Sequence, residues 1–257
     1  MTITITSSTS QYILTASNTS AYVVPGATII TGVGENGIYV GGNYDVLTNA
    51  GTIRGELGVI FGGTTLHGEG DTFVNLASGY VNSIPAEPGT TILFNSYSGT
   101  VINSGRIGAI GNAGAIALEH GGSVTNTSTG TIAASAIFVN NYAGTVLNQG
   151  LIEGGGTTNY GAILLAAGGS VTNLGGGTIV STGFYGVEIT QNGSYAVAGT
   201  VNNAGVIDSG TGPAVTFASS IHSDLVIDQT TACSSATWSG AAPTARSNSR
   251  PALVKPR

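Results

Sequence analysis

The segment Leu47-Thr48-Asn49-Ala50-Gly51-Thr52-Ile53 recurs along the chain as Val101-Ile102-Asn103-Ser104-Gly105-Arg106-Ile107, Val146-Leu147-Asn148-Gln149-Gly150-Leu151-Ile152 and Val201-Asn202-Asn203-Ala204-Gly205-Val206-Ile207. Residues 124–132 around Asn126 and 171–179 around Asn173 carry the same pattern with two more residues in the turn, and 73–81 around Asn75 is a weaker copy. The landmark asparagines Asn49, Asn75, Asn103, Asn126, Asn148, Asn173 and Asn203 stand 26, 28, 23, 22, 25 and 30 residues apart, a mean near 26. A period of this length marks stacked units, each of which buries its apolar face only against its neighbours.

Between the asparagine segments lies a second element, a small residue followed by apolar positions: Gly37-Ile38-Tyr39-Val40, Gly58-Val59-Ile60-Phe61, Gly114-Ala115-Ile116-Ala117-Leu118 and Ser135-Ala136-Ile137-Phe138-Val139. Gly161-Ala162-Ile163-Leu164-Leu165, Gly186-Val187-Glu188-Ile189 and Pro213-Ala214-Val215-Thr216-Phe217 continue the series. Their β-branched content and length predict short strands. The chain has 42 glycines in 257 residues, about one in six. Each would weaken a helix by roughly 1 kcal/mol, so no window supports a useful amphipathic helix. Short strands broken by glycine turns at a period near 26 predict an all-β fold, a parallel β-helix whose coils are about 26 residues long.

The asparagine has a physical reason to recur. Where the backbone leaves a strand ladder at a corner, a side-chain amide can bond both the freed backbone groups and its equivalent one coil along. Exposed turn asparagines are the alternative reading. The glycine that follows is expected to supply a positive φ.

Val-x-Asn-x-Gly-x-Ile, with Gly-Ala-Ile-x-Leu and Gly-Gly-Ser-Val, is similar to the repeats of bacterial autotransporter passenger domains and filamentous adhesins, over about residues 22–228. The resemblance implies a right-handed β-helical stalk at the outer-membrane surface or outside the cell, which presents adhesive surfaces to host or neighbouring-cell glycans or proteins. The chain departs from that pattern in showing no signal segment, no run of alternating barrel strands, and a change of texture after Leu225-Val226-Ile227-Asp228. The single cysteine (Cys233), the single tryptophan (Trp238), four of the six basic residues and three of the seven prolines fall in 229–257. We therefore divide the chain into a β-helix repeat domain, 1–228, and an atypical basic tail, 229–257, expected to be disordered.

Charge narrows the possible partners. Residues 1–230 hold all twelve carboxylates and only Arg54 and Arg106, a formal charge of −10. Affinity through release of phosphate counterions is out of reach for such a body, so nucleic acid is not expected as a partner. One cysteine allows neither an intrachain disulfide nor a thiolate-rich zinc site. The longest purely apolar run, 162–167, is far short of the roughly 20 residues of a membrane-spanning helix.

Enzymes on β-helices work with converging carboxylates. His67-Gly68-Glu69-Gly70-Asp71, in the irregular stretch 62–90, is the densest cluster, but its spacing misses the calcium-binding nonapeptide. Glu119-His120 would point to opposite faces of a strand, and His222 has no evident partner. No Gly-x-Ser-x-Gly elbow or phosphate-binding glycine loop is present. Tyr39, Tyr142, Tyr160 and Tyr185 either stack on sugars or pack over exposed glycines. Regular Thr-x-Thr, which a flat ice-binding face would need, occurs only at Thr2-Ile3-Thr4-Ile5-Thr6. The acidic residues are expected not to recur at the repeat period. The expectation is a non-enzymatic structural and adhesive stalk without metal or cofactor; the alternative is a polysaccharide-degrading lyase or glycoside hydrolase.

Overall fold

The computed structural model describes residues 1–62, 70–84, 89–108, 114–133, 137–155, 161–183, 185–192, 195–218 and 222–229, with the backbone of 233–234 and 239–240. These residues form an all-β parallel solenoid of three sheets, and none of them is helical. No helix long and apolar enough to cross a membrane is found among them.

Each coil after the first contributes one strand to each sheet; the first supplies Thr2–Ile5 and Tyr12–Leu14 to the first and third. The first sheet has ten strands and carries the landmark asparagines, in the order Thr2–Ile5, Ser20–Val23, Val46–Asn49, Thr72–Asn75, Gly99–Asn103, Gly122–Asn126, Gly144–Asn148, Gly169–Asn173, Gly199–Asn203 and Leu225–Asp228. The second sheet has nine strands, starts at Thr28–Ile30 and Thr52–Gly55, and runs to Val206–Ser209 and Cys233–Ser234. The third has ten, from Tyr12–Leu14 and Ile38–Val40 to Val215–Ala218 and Ser239–Gly240. Backbone pairing thus continues past Asp228, with Val206 opposite Cys233 and Thr216 opposite Ser239. Thr90–Phe94, which the sequence pattern did not single out, supplies the third-sheet strand between Val59–Phe61 and Gly114–Leu118.

Parallel strands in register place like residues on like residues. In the second sheet Ile29, Ile53, Val81, Ile107, Ile132, Ile152, Ile179 and Ile207 form one inward row, each nearly inaccessible. The third sheet adds two rows, one through Ile116, Ile137 and Ile163, the other through Val40, Phe61, Phe94 and Leu118. Phe61 and Phe94 stack with centroids 4.2 Å apart and planes within 4°. Burying these side chains is the main stabilising term, at about 25 cal/mol per Å² of apolar surface. The alternation of buried and half-exposed residues in Gly99–Asn103 and its neighbours is the period of two expected of a strand with one face in a core.

Candidate functional site

Three corners separate the three sheets. At the first, between sheets one and two, all seven asparagines are fully buried at one register position. Each Nδ2 donates to the next Oδ1 at 2.9 Å, from Asn49 through Asn75, Asn103, Asn126, Asn148 and Asn173 to Asn203. Nδ2 also donates to the carbonyl of its own turn glycine, as Asn49 does to Gly51 at 3.1 Å and Asn126 to Gly130 at 3.2 Å. Those carbonyls also accept from the next coil, as Gly51 does from the Tyr80 N–H at 2.8 Å. In the short turns Oδ1 of Asn49, Asn148 and Asn203 accepts in addition from the N–H of Gly51, Gly150 and Gly205, which satisfies donors buried in the stack. Val23 holds the equivalent position before the row and Asp228 the one after it, where Asn203 donates to Asp228 Oδ1 at 3.0 Å.

Turn length at this corner alternates from coil to coil. Two residues follow Asn49, Asn103, Asn148 and Asn203 before the next strand, and four follow Asn75, Asn126 and Asn173. The glycines of these turns correct an expectation. None of Gly51, Gly79, Gly105, Gly130, Gly150, Gly177 and Gly205 has a positive φ. They are required by close approach: a Cβ on Gly105 would stand 2.3 Å from the carbonyl oxygens of both Gly79 and Leu76, and one on Gly150 would meet Gly130 and Thr127 in the same way. Each short turn is tucked under the preceding long one, so the packing unit is a pair of coils.

At the third corner, where the chain re-enters the first sheet, a second row was missed in the sequence. Thr19, Asp45 and Asp71 each precede a first-sheet strand, at intervals of 26 residues. Asp45 Oδ1 accepts from the Thr19 N–H at 2.7 Å and Asp71 Oδ1 from the Asp45 N–H at 2.8 Å. Near the other end Asp224 Oδ1 accepts from the Gly199 N–H at 2.6 Å and from Gln191 Nε2 at 2.7 Å. The expectation that acidic residues ignore the repeat period is therefore overturned. The signal was present: Asp45, Asp71 and Asp224 each lie four residues before the row of Asn49, Asn75 and Asp228. In the coils between, glycine occupies the position. A Cβ on Gly122 would be 2.2 Å from the Gly99 carbonyl oxygen and one on Gly169 2.1 Å from that of Gly144, with φ at 129° and 116°. At Gly144 and Gly169 carbonyls of the next coil take over as acceptors, Gly168 for the Gly144 N–H at 3.3 Å and Ala198 for the Gly169 N–H at 3.2 Å.

Asp45 and Asp71 are buried, and Oδ2 of each has no hydrogen-bond partner. Burial raises the Asp45 carboxyl above its ordinary range, against the Thr19 N–H and the chain-terminal ammonium, which lower it. Burial pushes Asp71 to about 6; the Asp45 N–H opposes this and the Asp45 charge adds to it.

The same corner carries aromatic rings on its outer side. Tyr97, His120 and Tyr142 each stand two residues before the glycines Gly99, Gly122 and Gly144, which pair in register across three consecutive coils. With Ser96, Ser98, Gly121, Gly122 and Ala143 they line a groove of about 510 Å³. His120 lies 6.2 Å from the Tyr142 ring, with its Nδ1 buried and unpartnered. Tyr142 also stacks on Tyr195 at 4.6 Å and 15°, although their coils are separated by a third. Ala167, fully buried, pairs antiparallel with Gln191 and accepts from the Val197 N–H at 3.1 Å, so both ends of the stretch that carries Tyr195 are held at Ala167.

The remaining candidates are dispersed. Asp71 sits in the aspartate row, while His67 and Glu69 lie outside the described residues. Glu119 Oε2 accepts from Asn140 Nδ2 at 3.1 Å, whereas His120 meets Tyr142, so these neighbours engage different partners. His222 has its N–H on Gln191 Oε1 at 2.6 Å and its Nε2 3.1 Å from the Ala196 carbonyl. Tyr39 covers Gly41, where a Cβ would be 2.7 Å from its ring. Tyr185 presses its carbonyl on Gly161, and Tyr160 lies outside the described residues. No group of three or more metal-ligating side chains occurs among the described residues.

No protein-family model matches this chain, and neither a curated protein nor a solved structure matches it.

Proposed function

We propose that the chain is a structural and adhesive element, a rigid β-solenoid stalk displayed at a cell surface that holds binding grooves at fixed intervals along its axis. The observation that carries the reading is the division of labour around each coil. Isoleucine, valine and amide rows fill the interior in register, while the outer side of the third corner presents aromatic rings on consecutive coils. A ladder in which every coil bonds the next resists bending and fixes the spacing of whatever stands on it. The likeness to passenger-type repeats and the acidic, arginine-poor body support a surface role toward uncharged partners.

The competing reading, an enzyme acting on polysaccharide, gains one observation: Asp45 and Asp71 are carboxylates on consecutive coils, and Asp71 is raised to about 6. Their Oδ1 atoms are committed to backbone N–H groups and both side chains are buried, which favours a structural role. Purified protein presented to immobilised glycans and matrix proteins, and in parallel to soluble polysaccharides with product analysis, tests the two. Saturable binding without product supports the stalk. Turnover abolished by Asp71→Asn overturns it.

A further inference from the structure

The groove at the third corner has the chemistry of a sugar-binding slot. Tyr142 and Tyr195 are 41% and 61% exposed, and they are stacked on each other, so the surface keeps two large rings fixed in solvent without covering them. Their mutual packing restrains both rings before any ligand arrives, which lowers the ordering cost of binding. Tyr97 and Tyr142 stand two coils apart, about 9.6 Å along the axis at the ordinary strand spacing, with His120 between them and the small residues Gly121, Gly122 and Ala143 exposing the floor. Ser96 and Ser98 bring hydroxyls to the rim. Among the described residues no Lys or Arg lines the groove, and the nearest charged side chain in sequence is Glu119.

We propose that the groove formed by Tyr97, His120 and Tyr142, buttressed by Tyr195, binds a neutral polysaccharide lying along the solenoid axis, with the C–H faces of its pyranose rings on the tyrosines. The rings supply the apolar platform that a sugar face needs, and the hydroxyls and imidazole supply its polar edge. An anionic glycan would meet a body of formal charge −10 in residues 1–230, with no Lys or Arg among the described residues of the slot, and is disfavoured on that ground. The inference rests on the adhesive reading and gives it a ligand class and a site.

The test uses the full chain and titrates cello-, laminari-, malto- and manno-hexaose, with heparin and hyaluronan as anionic comparators, by calorimetry. Saturation-transfer NMR from the tyrosine ring protons to the sugar is read on the unmodified protein. The expected result is binding of at least one neutral hexaose with transfer from tyrosine. Affinity should fall about 3- to 10-fold in Tyr142→Ala and Tyr97→Ala and stay unchanged in Tyr39→Ala, whose ring covers Gly41 elsewhere on the third sheet. If a variant fails to fold, the transfer experiment on the unmodified chain still decides. Binding of heparin or hyaluronan in preference, equal affinity in Tyr142→Ala, or no binding of any neutral hexaose overturns the proposal. Retained adhesion to matrix proteins in that last case would leave the adhesive reading standing without this site, whereas loss of all adhesion would remove both.

Discussion

Asn203 donates from Nδ2 to Oδ1 of Asp228 at 3.0 Å, so a file of amides that each pass a hydrogen on to the next coil ends on a carboxylate, which accepts with nothing to donate onward. The direction of the file is uniform, each Nδ2 pointing to the higher-numbered coil. An interior rung is consequently both donor and acceptor, and the two roles cannot be replaced by one charge.

Asn126→Ala should destabilise the solenoid by about 2–4 kcal/mol, because it takes one hydrogen bond each from Asn103 Nδ2 and Asn148 Oδ1 in a buried file and removes the Asn126 bonds to the Gly130 and Leu151 carbonyls. Asn126→Asp should cost more at pH 7, where a buried carboxylate would face Asn148 Oδ1 and the Gly130 and Leu151 carbonyls. Its pKa would be raised, so the loss should shrink as pH falls. Urea unfolding at pH 7 and pH 4 reads both effects, and equal stability of the two variants at pH 7 would contradict the donor role.

Gly105→Ala and Gly176→Ala separate crowding from backbone strain. At Gly105 a methyl group would meet two backbone oxygens at 2.3 Å, and neither can move without opening the long turn above it. Gly176 has φ of 91° with nothing within 4 Å. We expect about 1–2 kcal/mol for Gly176→Ala, the ordinary penalty of a left-handed alanine, and a clearly larger loss for Gly105→Ala. Thermal melts of the two variants suffice, and the reverse order would exclude the two-coil packing unit.

Asp71 binds a proton more tightly in the folded chain, at about 6 against an ordinary 3.8. For a raised carboxyl the folded state holds more protons than the unfolded one between those values, so its favourable contribution is complete below pH 3.8 and is lost as pH rises through about 6. The melting temperature should therefore fall as pH rises from about 4 to about 6 and level off above that. Asp71→Asn, whose Oδ1 still accepts from the Asp45 N–H, should flatten that slope and stabilise the protein at pH 7 by roughly 1–2 kcal/mol after allowance for solvent screening. An unchanged slope in the variant would locate the titration elsewhere.

Phe94 stacks on Phe61 and fills the space above Gly99, whose Cβ would strike its ring at 2.1 Å. Phe94→Ala opens a cavity that rigid neighbouring coils cannot close and should cost about 3–5 kcal/mol in chemical denaturation. A loss below 1 kcal/mol would mean that the coils collapse onto the gap.

Much of this fold was legible in the spacing of its residues. The strands Ile38–Val40, Ile137–Val139 and Ile163–Leu165 follow from apolar runs bounded by small residues, and the coil length from the asparagine interval. The aspartate row was legible too, four residues ahead of the asparagine row, but only once the register was known. The aromatic groove was not: Tyr97 and Tyr142 are 45 residues apart, and Tyr195 meets Tyr142 across an intervening coil, with Gln191 and Val197 on either side of it both held at Ala167.

The sequence by itself determined that the chain winds into stacked strands, because a repeat near 26 residues with glycine too frequent for helices leaves apolar strands no partner but their own copies in adjacent coils. The tertiary structure decided which atoms meet. The direction of the amide file, the short turn under the long one and the rings brought together at the third corner all depend on contacts between residues 22 to 53 positions apart. Such contacts are set by register and by the space a missing Cβ leaves, and neither quantity is written in any single segment of the chain.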